Sequence, residues 1–223
     1  VVATDAVGAT AEKAVVASVT NVNEAPVITS SATATAIAEL GANGAVVYTA
    51  TSTDVDAGSV RTYSLSGADA SMFSINSTSG VVTINTAANF EVKSSYAFSV
   101  TATDNGSPVL ATTQAVTLAI TNVNEAPVAV GESVATPDNT AIVISVLGND
   151  SDVDAGAVLS VNSVTNGTNG TVVNNGTTVT YTPNSTFLNG TDTFTYTTKD
   201  AEGAVSNSVT VTVTVNTVNT APV

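Results

Sequence analysis

One motif, written three times, constrains this chain more than any other feature. Asn21-Val22-Asn23-Glu24-Ala25-Pro26-Val27 recurs as Asn122-Val123-Asn124-Glu125-Ala126-Pro127-Val128, and Thr217-Val218-Asn219-Thr220-Ala221-Pro222-Val223 is a degenerate third copy. Pro26, Pro127 and Pro222 stand 101 and 95 residues apart, about the length of one small β-sandwich. The copies therefore read as links in a tandem array. Residues 1–27 are the tail of one module with its link, and residues 28–127 and 128–223 are two whole modules.

The blocks between the links carry strand patterning. Val and Ala make up most of the apolar share, and Thr and Asn dominate the polar share, a mixture suited to pleated, half-buried strands and turns. The plainest case is Val209, Val211, Val213 and Val215 on one face with Thr210, Thr212 and Thr214 on the other, a strict period of two. No comparable helical stripe exists. Two hairpins are predicted: Phe73–Asn76 with Val81–Ile84 around Ser77-Thr78-Ser79-Gly80, and Thr171–Val173 with Thr178–Tyr181 around Asn174-Asn175-Gly176; in each, Gly can supply a positive φ. Tyr96–Ala102 is predicted to turn at Asp104–Pro108 and return over Gln114–Ile120, and Ala141–Leu147 reads as a buried strand. The fold class is all-β, as tandem antiparallel Greek-key sandwiches. Val1-Val2-Ala3-Thr4-Asp5 opens in mid-strand, so the chain reads as a segment of something longer. Its first 27 residues, lacking partner strands, are expected to pack on the next module or stay loosely ordered.

Charge narrows the partners. Eighteen acids against four Lys+Arg give a formal charge of −14, which disfavours nucleic acid and anionic membrane surfaces and favours a cation. The bland alternative is that the acidity only keeps a secreted repeat protein soluble. There is no Cys for a disulfide framework, no signal peptide, and no apolar run long enough to insert in a membrane. With neither Cys nor His and with Lys scarce, nucleophile and base pairs have no evident members, so no enzyme is expected.

The acids repeat with the modules. Asp54-Val55-Asp56-Ala57-Gly58 returns as Asp152-Val153-Asp154-Ala155-Gly156, and Asp5, Asp104 and Asp200 recur 99 and 96 residues apart. On extended backbone, Asp-x-Asp puts both carboxylates on one side. Two such groups a few ångströms apart repel by roughly 4 kcal/mol at an effective dielectric of 20. Calcium takes six to eight hard oxygens and relieves that repulsion. A single Asp-x-Asp-x-Gly is also an ordinary turn; its repetition beside a second Asp and an Asn/Glu link is what points to the ion.

These residues carry a resemblance. The link, the Asp54/Asp56 and Asp152/Asp154 pairs, and Ala102-Thr103-Asp104 resemble cadherin repeats in their bacterial form. Leu147–Asp154, Tyr181-Thr182-Pro183-Asn184 and Gly190–Tyr196 are similar to the cadherin-like repeats of large calcium-dependent surface adhesins of the RTX type, although the nonapeptide calcium repeat of secreted toxins is absent. The resemblance spans essentially the whole chain and implies calcium ions shared between adjacent repeats of the same chain. At the second link it assigns Glu39 and Glu91 as base glutamates, Asn122, Asn124 (with its backbone carbonyl as one option) and Glu125 as link ligands, and Asp152, Asp154 and Asp200 from the following module. At the first link it assigns Asn21, Asn23, Glu24, Asp54, Asp56 and Asp104, with weaker occupancy because the upstream glutamates precede residue 1. The link is one residue shorter than the animal form and opens with Asn instead of Asp, which lowers its charge. In the terminal link Thr217 and Thr220 replace Asn and Glu. Asp138 is a substitute for the early glutamate of the second module. Glu132, Asp150 and Asp192 are outside candidates for that site, and their ordinary fate is solvated surface.

The implied function is a calcium-rigidified extender of a bacterial cell-surface or secreted adhesin, holding a distal domain that meets cell-surface ligands. The alternative is a carbohydrate- or partner-binding module. Tyr48, Tyr63 or Tyr181 on an open face would favour the alternative, since sugar sites stack on exposed rings.

Overall fold

The computed structural model describes residues 1–218; Asn219–Val223 of the third link lie outside the described residues. Two compact units result, one of residues 1–88 and 95–121, the other of residues 89–94 with Asn122 onward.

The first unit holds eleven strands: β1 (Val2–Thr4), β2 (Thr10–Glu12), β3 (Val27–Ile28), β4 (Ile37–Ala38), β5 (Val46–Thr49), β6 (Ser52–Thr53), β7 (Thr62–Ser66), β8 (Phe73–Ile75), β9 (Val81–Ile84), β10 (Ser95–Thr103) and β11 (Ala111–Thr121). They form a sheet of order β4-β11-β10-β7, a second of order β5-β9-β8, a short β3-β6 pair and a β1-β2 hairpin. A single 3-10 turn, Ala70–Met72, is the one helical element among the described residues. β10 alternates as the sequence requires: Tyr96, Phe98, Val100 and Ala102 are buried, while Thr101 on the outer face meets Thr113 through a 2.8 Å hydroxyl contact. Phe73 packs on Phe98 and edge-on to Tyr96, with ring centroids 4.7 and 5.8 Å apart. A few aromatics thus fill a core otherwise built from small side chains.

The second unit repeats the plan with β12 (Ser133–Pro137), β13 (Ile142–Ile144), β14 (Ser160–Val164), β15 (Gly170–Asn174), β16 (Val179–Pro183), β17 (Gly190–Lys199) and β18 (Val209–Asn216). Its sheets run β12-β18-β17-β14 and β13-β16-β15. Val211, Val213 and Val215 of β18 have no exposed surface, and burial of each such side chain is worth about 1.5–3 kcal/mol. In both units an early strand lies beside the last in parallel, β4 with β11 and β12 with β18. All other pairings between named strands are antiparallel, as in a Greek-key sandwich.

Both predicted hairpins form, with Gly80 at φ 71° and Gly176 at φ 90°. Two expectations are corrected. Ala141–Leu147 is strand only over Ile142–Ile144, because the Ser145 carbonyl turns to the Gly148 N–H at 3.2 Å, and it is not buried throughout, since Val143 is 63% exposed. Residues 1–20 neither pack nor stay irregular throughout: β1 and β2 pair as a hairpin while every residue of that stretch remains exposed. Local ladder bonds suffice for the pairing, and Val1, Val2, Val7, Val15, Val16 and Val19 lie in solvent.

Candidate metal centre: two carboxylate clusters built alike

Each unit starts by tying its link to the strand that feeds the Asp-x-Asp loop. In the first, Val27 and Ile28 pair with Thr53 and Ser52; in the second, Val128 bridges Ser151. That registration brings the link alongside the acids of the same unit.

In the first unit the Asn21 side-chain amide donates to Asp56 Oδ1, and the Glu24 backbone N–H donates to Asp56 Oδ2 at 2.9 Å. The Asn23 amide donates to Asp104 Oδ2 at 2.8 Å. Asp104, 5% exposed, also accepts the Gly106 and Leu110 N–H groups at 3.1 and 2.9 Å. Asp54 accepts the Asp56 N–H at 2.9 Å and the Ser59 hydroxyl at 2.7 Å. The six predicted residues thus fall into two contact sets that share the link backbone, Asn21, Glu24 (through its backbone), Asp56 and Asp54 in one and Asn23 with Asp104 in the other.

The second unit reproduces it. Asn122 donates to Asp154 Oδ1 at 2.6 Å, Glu125 N–H to Asp154 Oδ2 at 3.0 Å, Asn124 to Asp200 Oδ2 at 2.8 Å, and Asp154 N–H to Asp152 Oδ1 at 3.0 Å. Asp200, 3% exposed, takes the Gly203 and Ala204 N–H groups at 2.6 and 2.8 Å. Glu91 and Glu125 bring carboxylate oxygens within 4.8 Å of each other. Asn122, Asn124, Asp154 and Glu91 line an open cleft of about 650 Å³, with Phe90, Val153 and Glu202 among its other walls. Glu39 belongs to the first unit, where it is 2% exposed and its N–H donates to the Thr121 carbonyl at 3.1 Å.

Hydrogen bonds to the ionised form govern the electrostatics here. The Glu24 N–H, then the Asn21 amide, hold the Asp56 carboxyl below the usual carboxylate range. The Leu110 N–H lowers Asp104 most, with burial opposing and Asn23 assisting. At Asp200 the Asn124 amide is the largest lowering cause, again against burial. These acids are thus ionised at neutral pH, as metal ligands must be.

The donor set suits a hard cation. Every Asn, Asp and Glu side chain of the two clusters offers oxygen, and Asp152 Oδ2 is buried without a hydrogen-bond partner, a cost that a ligated ion removes. Each Asn amide carries both a donor and an acceptor. Rotating it by half a turn exchanges nitrogen for oxygen, so the same residues can present either a donor-neutralised arrangement or an all-oxygen one.

Three of the acids expected on the solvated surface lie elsewhere, which corrects that expectation. Asp192 is 4% exposed and accepts the Tyr181 hydroxyl at 2.8 Å and the Thr168 and Asn169 N–H groups at 3.0 and 2.9 Å. It pins the loop before β15 to β17. Glu132 and Asp150 are half-buried on the hydroxyl of Tyr196. No spacing rule flags them, because the partner is a strand tyrosine 64 and 46 positions away. Asp138, also half-buried, donates its N–H to the Asn216 carbonyl at 2.9 Å.

Comparison with known proteins agrees with this fold. Residues 29–121 match the cadherin domain and residues 124–217 the bacterial cadherin-like domain. Among solved structures, mouse cadherin-23 EC22-24 aligns with a TM-score of 0.61 at 22% identity, covering 87% of this chain and 65% of that one. Human protocadherin-24 EC1-2 aligns with a TM-score of 0.64 at 19% identity, covering 89% of this chain and all of that one. Its second crystal form gives 0.67 at 18% identity. At these identities the likeness carries the fold. None of the curated proteins matches the chain. The chain contains two cadherin-like domains, all-β in architecture, and among the described residues no helix is long and apolar enough to cross a membrane.

Proposed function

We propose that the chain is a calcium-rigidified extender segment of a bacterial adhesin, exposed at the cell surface or secreted, with modules at 28–127 and 128–223. The observation that carries this reading is the duplication of one carboxylate–link network in both units, down to the individual donors. Turn-making alone does not require the link to reach both acids twice over.

In this reading calcium supplies the positive charge that lets the acids approach without repulsion. Asn21, Asn23, Glu24, Asp54, Asp56 and Asp104 hold it at the first cluster, and Glu39, Glu91, Asn122, Asn124, Glu125, Asp152, Asp154 and Asp200 at the second. Ion binding ties the link to its module and removes hinge freedom, so that the segment holds a distal domain away from the cell. The chain contributes spacing and stiffness, and no catalysis. Binding confined to the folded state adds about 2.7 kcal/mol per site when free ion exceeds its dissociation constant a hundredfold.

The rival carbohydrate-binding reading loses its best support, because Tyr48, Tyr63 and Tyr181 are 8%, 9% and 0% exposed. Small-angle scattering and thermal unfolding in calcium and then in chelator test the proposal. The expected result is a stiff particle with a raised Tm in calcium and a flexible one with a lowered Tm in chelator. Identical profiles under the two conditions overturn it.

A further inference from the structure

Tyr196 is 1% exposed, and its hydroxyl is the meeting point of four oxygens. The Val146 carbonyl lies at 2.8 Å, Asp150 Oδ1 at 2.9 Å, the Val130 carbonyl at 3.0 Å and Glu132 Oε1 at 3.2 Å. A phenol has one hydrogen to give, so the cluster has more acceptors than donors. Asp150 Oδ1 gains one further donor, the Val130 N–H at 2.9 Å. The second oxygens of both acids, Glu132 Oε2 and Asp150 Oδ2, are buried with no hydrogen-bond partner. Two carboxylates, both ionised and each with an orphaned oxygen, are a costly arrangement in a partly desolvated site.

A proton or a cation would relieve it. The point within reach of all four acceptors is already taken by the phenol oxygen, which leaves the proton as the species that fits. We propose that Glu132 binds a proton at neutral pH and that the protonated carboxyl, with the Tyr196 hydroxyl, forms a latch fastening the Asp150 loop to the sheet of the second module.

Protonation adds a second O–H to the cluster and removes one of two like charges. The groups facing Glu132 agree with this. Asp150 approaches from the loop after β13 and Tyr196 from β17, while β18 meets Glu132 through the Thr212 N–H on its backbone carbonyl at 2.8 Å. Burial first, and then the Asp150 charge, push the Glu132 carboxyl up to about 7 against the lowering pull of the Tyr196 hydrogen bond. Burial and the acids also raise the Tyr196 hydroxyl, so it stays protonated and cannot relieve the cluster by ionising. Since the folded value of Glu132 lies above its ordinary 4.5, the stability it contributes is complete below that ordinary value and is lost as pH rises through about 7.

The latch does not depend on the calcium reading, and its test is run in chelator. In the whole chain, carbon-13 NMR of the glutamate carboxyls should give Glu132 a midpoint near 7, and the Tm of the second module should fall between pH 5.5 and 8. Glu132→Gln, which keeps the volume and supplies fixed donors, should flatten that fall. A Glu132 midpoint in the ordinary carboxylate range, or an equal slope in the variant, overturns the proposal. Should the variant not fold, the wild-type midpoint alone decides. A midpoint that collapses to the ordinary range on adding calcium or magnesium also overturns it, giving the cluster to a cation.

Discussion

The two carboxylate clusters are built alike, and one chemical difference between them is instructive. In the first, Asp54 Oδ2 is held by the Ser59 hydroxyl at 2.7 Å. In the second the equivalent position is Ala157, which has no donor, and Asp152 Oδ2 is left buried and unpaired. The first cluster is thus largely neutralised by the protein's own donors, whereas the second retains an unpaired carboxylate oxygen. The Asn amides also weigh differently. Asn124 is the largest cause of the lowered Asp200 carboxyl, while at Asp104 the Leu110 N–H leads and Asn23 only assists.

The largest expected effect comes from removing the acid that takes two of the link's contacts. Asp154→Ala should weaken calcium binding at the second cluster on the order of 100-fold, the upper end of what loss of a supporting ligand costs, and Asp56→Ala should do the same at the first. Isothermal titration calorimetry resolves the two, and the clusters cease to be equivalents if either substitution leaves binding intact.

Exchanging the distinguishing residue should have a middle-sized effect. Ala157→Ser supplies the missing donor to Asp152 and should lower second-cluster affinity about fivefold, while Ser59→Ala frees Asp54 and should raise first-cluster affinity similarly, each near 1 kcal/mol. Affinities that do not move in opposite directions would show that the Ser/Ala difference is idle.

The smallest effect belongs to the amides. Asp104 and Asp200 have lowered carboxyls, so the stability they contribute is present above their ordinary 3.8 and is lost as pH falls through the folded value. In chelator, Asn124→Ala should therefore shift acid unfolding to higher pH, and Asn23→Ala should do so less. Circular dichroism between pH 5 and 2 checks the order; an equal or reversed pair would mean that backbone donors govern both sites.

Much of this was legible in the chain itself. The repeat spacing, the Val/Thr alternation of β18, the Gly-bearing hairpins and the duplicated Asp-x-Asp are local patterns, fixed by backbone period and turn chemistry within a few residues. They gave the sandwich class, and among the duplicated acids they single out, Asp56, Asp104, Asp154 and Asp200 accept hydrogen bonds from the link asparagines of their own units. The exposed β1–β2 hairpin and the shortened β13 were not legible. Each depends on whether a partner strand or an accepting carbonyl is present in space.

The chain alone determined where strands alternate, where they reverse, and which acids recur at a module's length. Only the tertiary structure decided which isolated acids stay wet. Glu132, Asp150 and Asp192 look alike in sequence to any surface carboxylate, and all three lie against tyrosine hydroxyls. For Glu132 and Asp150 that tyrosine is on a strand far along the chain. Desolvation depends on which groups finally surround an oxygen, and a linear pattern carries no measure of that.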